Sequence, residues 1–175
     1  MSVVQHDNAL IRPVRLEDAE AIWELEREIV REAEYFIAVS EEFDKTVEQQ
    51  REWISRVMES ERETVLVAEI DGEVVGLIGF SSPNRKRLAH TGSMMMMISK
   101  DHRSKGLGKM LLQELLAWAE QHPLIEKVSL GVLSTNHRAI ALYKKMGFVE
   151  EGRKVKEFKV SENEYVDDVL MYKFV

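Results

Sequence analysis

The chain has 175 residues, of which 45% are apolar and 31% charged, with a net charge of −7 and no cysteine. That is chain enough for a single domain with a proper core, spanning residues 1–175, and the missing cysteines exclude a disulfide framework, a thiolate metal site and a cysteine nucleophile. The acidic balance argues against general nucleic-acid binding, no window approaches the roughly 18 apolar residues of a membrane span, and the N-terminus lacks a secretory pattern, so a cytoplasmic location is expected.

Ala9 to Arg12 reads as a short first strand closed by Pro13. Leu16-Glu17-Asp18-Ala19 opens a helix running to about Ala33, with Ala19, Ile22, Trp23, Leu25 and Ile29 at roughly helical spacing. Tyr35 to Phe43 mixes aromatics with acids and is irregular. Asp44 is expected to cap a second helix whose apolar face holds Val47, Trp53 or Ile54, and Val57.

Thr64 to Ile70 and Glu73 to Ser81 read as strands, and the Asp71-Gly72 pair between them predicts a type I′ hairpin turn. After a polar loop, Ala89 to Ser99 returns as a strand that contains four consecutive methionines, Met94 to Met97. Methionine is unbranched and fills irregular gaps, so core packing is the simple account, and lining a pliable pocket is the sharper one. A long helix follows from Gly106 to about His122 and stops at Pro123. Ile125 to Leu133 is a strand. Thr135 or Asn136 starts a last helix that ends at Gly147, a typical αL cap position. Phe148 to Val160 and Glu164 to Val175 form a closing hairpin around Ser161-Glu162-Asn163. The order β-α-α-β-β-β-α-β-α-β-β implies an α/β (α+β) fold: a mixed central sheet of about seven strands with helices on both faces.

The junction Arg103-Ser104-Lys105-Gly106-Leu107-Gly108 carries the strongest chemical signal. A strand, a short glycine-bearing loop and a helix N-terminus together make an anion site. The first-turn N–H groups have no intrahelical partner and lie at the positive end of the helix dipole. Arg103 and Lys105 add cationic side chains. A phosphate or pyrophosphate is the natural occupant. The spacing is neither that of a Walker A loop nor that of G-x-G-x-x-G, because Leu111 stands where the third glycine would fall.

What remains is R-x-x-G-x-G after a strand. Downstream by about 28 residues lies Asn136-His137-Arg138-Ala139-Ile140-Ala141-Leu142-Tyr143-Lys144-Lys145-Met146-Gly147-Phe148, which fits N-x-x-A-x-x-x-Y-x-x-x-G-F. The two motifs, in this order and at this separation, resemble those of the GNAT family of N-acetyltransferases. The resemblance covers nearly the whole chain and implies the GNAT fold.

It also implies an acetyl-CoA-dependent N-acetyltransferase that acylates a primary amine by direct attack in a ternary complex, with acetyl-CoA as donor and no metal. The implied cofactor residues are Met96, Met97 and Ile98 on a bulged, splayed strand, then Arg103, Ser104, Lys105, Gly106, Leu107, Gly108 and Lys109, and finally Asn136, Ala139 and Tyr143. Backbone N–H groups of Met96 to Ile98 would face the oxyanion, and Tyr143 would act as the general acid to the departing thiolate. Relatives that modify ribosomal proteins carry a glutamate in L-E-V-x-x-x-N. Here Gly131 stands at that position in Leu130-Gly131-Val132-Leu133-Ser134-Thr135-Asn136, so that base is missing. Glu34, Glu41, Glu42, His90 or a water relay remain as candidates.

In this fold the loop between the first two helices and the closing hairpin set the acceptor. Tyr35, Phe36 and Glu41 are the candidate substrate contacts, and the mix of aromatics and carboxylates suits a small amine: an amino acid, a polyamine or a related compound. The alternatives are a protein N-terminal or lysine acetyltransferase, which the glycine at 131 argues against, and a silent acyl-CoA-binding module. No nucleic-acid or membrane partner is expected. GNAT relatives often dimerise, and the closing hairpin offers edges for a homodimer.

Overall fold

The computed structural model describes residues 8–175. Seven strands form one sheet in the order β1-β2-β3-β4-β5-β7-β6. The strands are β1 (Ala9–Pro13), β2 (Glu63–Ile70), β3 (Glu73–Ser81), β4 (Thr91–Ile98), β5 (Lys127–Leu133), β6 (Val149–Ser161) and β7 (Glu164–Phe174). The helices are α1 (Ala19–Glu32), α2 (Val47–Glu59), α3 (Leu107–Gln121) and α4 (His137–Lys145), with short 3-10 turns at Leu16–Asp18, Ser40–Glu42 and Lys100–His102. Every pairing is antiparallel except β4 with β5.

Strand alternation divides the core in two. On one face Leu66, Ala68, Ile78, Phe80 and Met94 pack with Leu111, Leu112 and Leu115 of α3. On the other, Val65, Val67, Leu77 and Met97 pack with Ile22, Leu25 and Ile29 of α1 and Ile54 of α2. The methionine run therefore feeds both faces: Met94 and Met96 toward α3, Met97 toward α1 and α2.

The Asp71-Gly72 turn has φ values of 51° and 85°, the positive pair that a type I′ turn requires. At the end of α4 the Phe148 N–H donates to the Tyr143 carbonyl and the Gly147 N–H to that of Lys144, a Schellman motif with Gly147 at φ 90°.

Two expectations are corrected. Thr46, not Asp44, caps α2: its hydroxyl accepts from the Gln49 N–H at 3.2 Å, while the Gln49 side chain accepts from the Thr46 N–H at 2.9 Å. Threonine followed three residues on by glutamine can satisfy two orphan donors reciprocally, and Asp44 has valine at that offset. Second, β4 carries no bulge against β3. Its register runs unbroken from Gly76↔Ile98 to Ser81↔Ser93. The irregularity sits between β2 and β3, at Ala68/Glu69.

The splay is present. β4 and β5 pair only through Thr91–Ser93 and Lys127–Ser129, and then part. Met94–Ile98 and Leu130–Leu133 thus face each other across a gap in the middle of the sheet.

Candidate active site

A cavity of about 320 Å³ opens where the strands part. It is walled by the end of β4 (Met96, Met97, Ile98), the loop into α3, the first turns of α3 and α4, and Ile29, Tyr35 and Phe36 at and beyond the end of α1.

The loop is shaped for an anion. Ser104 and Gly106 both hold positive φ, 60° and 89°. A Cβ built on Gly106 meets nothing within 4 Å, so glycine is required there by conformation, not by crowding. At Gly108 the backbone is packed close, with a Cβ position 3.1 Å from the Leu142 side chain. The first intrahelical bond of α3 runs from the Met110 N–H to the Gly106 carbonyl. The N–H groups of Leu107, Gly108 and Lys109 precede it and lack intrahelical acceptors. This cradle suits a pyrophosphate.

The sequence-derived residues separate by part. Ser104, Gly106, Gly108, Lys109, Asn136, Ala139 and Tyr143 line the cavity, as do Met96, Met97, Ile98 and Arg103. Leu107 is 1% exposed, so its side chain belongs to the core and only its N–H is available. Lys105 is exposed on the loop. The Arg103 guanidinium is already engaged: it donates to both oxygens of Glu32, at 2.6 and 3.1 Å, and to the Ile98 carbonyl at 2.9 Å. Arg138 is a cation that the sequence reading passed over. It lines the cavity from the first turn of α4 and reaches the Ser104 hydroxyl at 3.4 Å. A basic residue two positions past a helix cap, beside a phosphate loop, was the available signal.

On β4 the direction of each N–H follows from alternation. The Ser99 N–H donates to the Val75 carbonyl of β3, so in the unbroken register the N–H of Met97 also faces β3, and those of Met96 and Ile98 face the gap. Asn136 caps α4, its Oδ1 accepting from the Ala139 N–H at 3.2 Å, which leaves its amide nitrogen for the cavity. Tyr143 is buried, 5.9 Å from the Phe148 ring, and burial pushes its phenol up to about 12.

A second cavity of about 290 Å³ lies on the α1/α2 face, and Met97 lines both. Glu26, Glu63, Lys45, Gln50 and Trp53 contribute to its wall. The Lys45 ammonium sits 3.1 Å from a Glu26 oxygen and 5.4 Å from the Trp53 ring centre. Gln50 is 1% exposed, and its Oε1 has no hydrogen-bond partner. Tyr35 and Phe36 reach the first cavity, whereas Glu41 stands exposed on the Ser40–Glu42 turn. None of Glu34, Glu41, Glu42 or His90 lines either cavity. Among the described residues, no three carboxylates or histidines are grouped to hold a metal ion, and no helix is long and apolar enough to cross a membrane.

A splayed mixed sheet with a glycine-bearing loop and helix N-terminus beside the gap fits the class of acyl-CoA-utilising transferases, and the comparisons agree. An L-amino acid N-acetyltransferase of Escherichia coli is 29% identical over 119 residues, 68% of this chain and 73% of that protein. The crystal structure of a GNAT-family acetyltransferase from Streptococcus pneumoniae superimposes with a TM-score of 0.91 at 27% identity, covering 96% of this chain and all of that one. A Salmonella typhimurium protein solved with its cofactor acetyl-CoA shares the fold, with a TM-score of 0.85 at 21% identity over 96% of this chain and 94% of that one. The model of the acetyltransferase (GNAT) family matches residues 20–148, and the chain belongs to that family. It is an N-acetyltransferase by family.

Proposed function

We propose that this chain, as one domain, transfers the acetyl group of acetyl-CoA to the primary amine of a small molecule: an amino acid, a polyamine or a related amine. Both substrates are bound together and the amine attacks directly. The observation that carries the reading is the pair of cavities that share Met97 in their walls. One offers an anion cradle, and the other offers carboxylates, an aromatic face and a buried amide oxygen without a partner.

Acetyl-CoA supplies an acyl group activated as a thioester. The chain's own groups do the rest. The backbone of Ser104 to Lys109 holds the pyrophosphate, with Lys109 and Arg138 adding positive charge. The N–H groups of Met96 and Ile98 offer hydrogen bonds to the developing oxyanion. The Asn136 amide nitrogen positions the pantetheine arm. The Tyr143 phenol, protonated throughout the physiological range, donates toward the sulfur. On the other side, Glu26, Glu63 and Gln50 Oε1 accept from a cationic amine, and Trp53 offers it a π-face. The Glu26–Lys45–Trp53 grouping already shows an ammonium held in this way.

An acceptor panel read by free thiol release tests this. Turnover is expected on free amino acids or polyamines and not on peptides. Turnover on peptides alone would overturn the small-amine reading. Acetyl-CoA binding without turnover on any amine would leave a binding module.

A further inference from the structure

Gly131, where relatives of one type carry their glutamate, is not an empty position. A Cβ built on it would stand 2.7 Å from Asp168 Oδ1 and 3.3 Å from Oδ2. The glycine is what lets the Asp168 carboxylate of β7 lie over β5. We infer that Asp168 is the general base of the reaction, occupying from the neighbouring strand the place that Gly131 leaves open. The inference rests on the acetyl-transfer reading above.

Three further relations support it. The first is the face. Leu130, Val132, Val169 and Met171 point into the α3/α4 core, so their alternates Gly131, Leu133, Asp168 and Leu170 point to the opposite side. Met97 packs on that same side against α1 and α2. The second is the level. Ser93 pairs with Ser129, and two steps of two residues bring Met97 level with Leu133. Leu133 pairs with Asp168. The carboxylate leans back from that level to lie against Gly131, which the same register brings level with Met95 in the wall of the second cavity; Asp168 itself forms part of neither cavity wall. The third is its surroundings. Asp168 is 9% exposed, and the charged group facing it is Lys154 of β6, at 3.7 Å from Oδ2; Lys154 also approaches Glu157 at 3.6 Å. On β5 it pairs with Leu133 and lies against Gly131, neither of them titratable. Lys154 approaches Oδ2, whereas Oδ1 is the oxygen that lies nearest Gly131.

The step balances without any further reactant. The lone pair of the neutral acceptor nitrogen forms the new C–N bond at the acyl carbon, and the proton that nitrogen sheds passes to Asp168. The C–S bond breaks with its pair on sulfur, which the Tyr143 O–H stabilises by a hydrogen bond. The proton on Asp168 passes to solvent, and the thiolate takes up one proton from solvent. Amine and thioester become amide and thiol.

The test uses the full chain, acetyl-CoA and the best acceptor of the panel. Asp168→Asn is expected to lower kcat on the order of 100-fold at pH 7, with the acetyl-CoA Kd from calorimetry unchanged. The deficit should shrink toward pH 9.5, as more of the acceptor is already neutral. Lys154→Met, which breaks the ion pair and keeps the carboxylate, should retain kcat within about threefold. In the Asp168→Ala background, adding Gly131→Glu returns a carboxylate to β5 and should recover much of the loss. A kcat for Asp168→Asn near that of the unsubstituted chain, a deficit constant across pH, or an equal deficit in Lys154→Met overturns the assignment. Absence of amine-dependent turnover by the unsubstituted chain overturns instead the acetyl-transfer reading on which it rests.

Discussion

Arg103 and Glu32 form a two-pronged ion pair, Nη1 to Oε2 at 2.6 Å and Nη2 to Oε1 at 3.1 Å, while Arg103 Nε donates to the Ile98 carbonyl. The first residue of the phosphate loop is thereby tied to the last residue of α1 and the last residue of β4. The segment with Tyr35 and Phe36, which lines the first cavity, leaves α1 immediately after this pair. One guanidinium thus ties together the glycine-bearing loop and the start of that segment.

Breaking that brace should weaken the donor site through geometry, since no phosphate ligand is removed. For Glu32→Gln we expect the acetyl-CoA Kd to rise about fivefold to tenfold, a loss of about 1–1.4 kcal/mol. Calorimetry on the variant checks it. An unchanged or tighter Kd would mean that Arg103 serves the ligand better when released, and that the pair is not a brace.

Tyr143 has a phenol pushed up to about 12 by burial. Against a cysteine-like thiol near 8.5, full proton transfer to a relaxed thiolate would be uphill by about 3.5 units, or about 5 kcal/mol. A hydrogen bond to the sulfur as charge builds, followed by shared proton return, is the role this magnitude allows. Tyr143→Phe should lower kcat by about 10- to 100-fold with the acetyl-CoA Kd within twofold. Because the phenol stays protonated at every pH below its raised value, the shape of the pH–rate profile between pH 6 and 10 should be the same in both proteins. A limb that vanishes in the variant would contradict this.

The strands and helices were legible because the sequence punctuates them: β-compatible runs between Asp71-Gly72, Pro123 and Gly147, and apolar spacing that switches from two to about 3.6. The glycine-bearing loop before α3 and the helix from Asn136 to Tyr143 were legible as local structure because each motif is local, a few residues on one turn or one helix face. What could not be read is what joins distant segments. Glu32 and Arg103 are 71 positions apart, and nothing near either residue marks its partner. Gly131 reads in isolation as a missing base. Only the β5–β7 register reveals that its missing side chain makes room for Asp168. The cap of α2 was misread for a different reason: Asp44 and Thr46 both suit a cap, and Gln49 decides between them.

Arg12 and Asp18 give a stability prediction with a definite sign. Two hydrogen bonds of 2.8 Å join them, Glu69 takes Arg12 Nε at 2.7 Å, and the Arg15 N–H donates to Asp18 at 2.7 Å. Burial pushes the Asp18 carboxyl up, but the guanidinium and the Arg15 N–H outweigh it and hold it below the ordinary value of 3.8. A carboxyl lowered in the folded state stabilises fully above its unfolded pKa and loses that contribution as pH falls through the folded one. Denaturant midpoints should therefore be flat from this group near neutrality and fall below about pH 4. Asp18→Asn should remove that acid dependence and cost about 3 kcal/mol at pH 7, because it leaves Arg12 with one carboxylate in place of two. A neutral substitution at pH 7 would show the pair to be dispensable.

Gln50 sets stability against function. Its Oε1 is buried without a partner in the wall of the second cavity. An unpaired buried acceptor costs about 1–3 kcal/mol relative to an apolar group of similar shape. Gln50→Leu should accordingly stabilise the protein by about 1 kcal/mol, raising Tm by about 2–4 °C. If the oxygen is retained to accept from the incoming amine, the same substitution raises the acceptor KM about fivefold or more and leaves the acetyl-CoA Kd alone. Thermal melts and steady-state kinetics on one variant read both. A stabilised variant with an unchanged acceptor KM would sever Gln50 from substrate binding. A destabilised one would show that its amide has a structural partner when the protein is in solution.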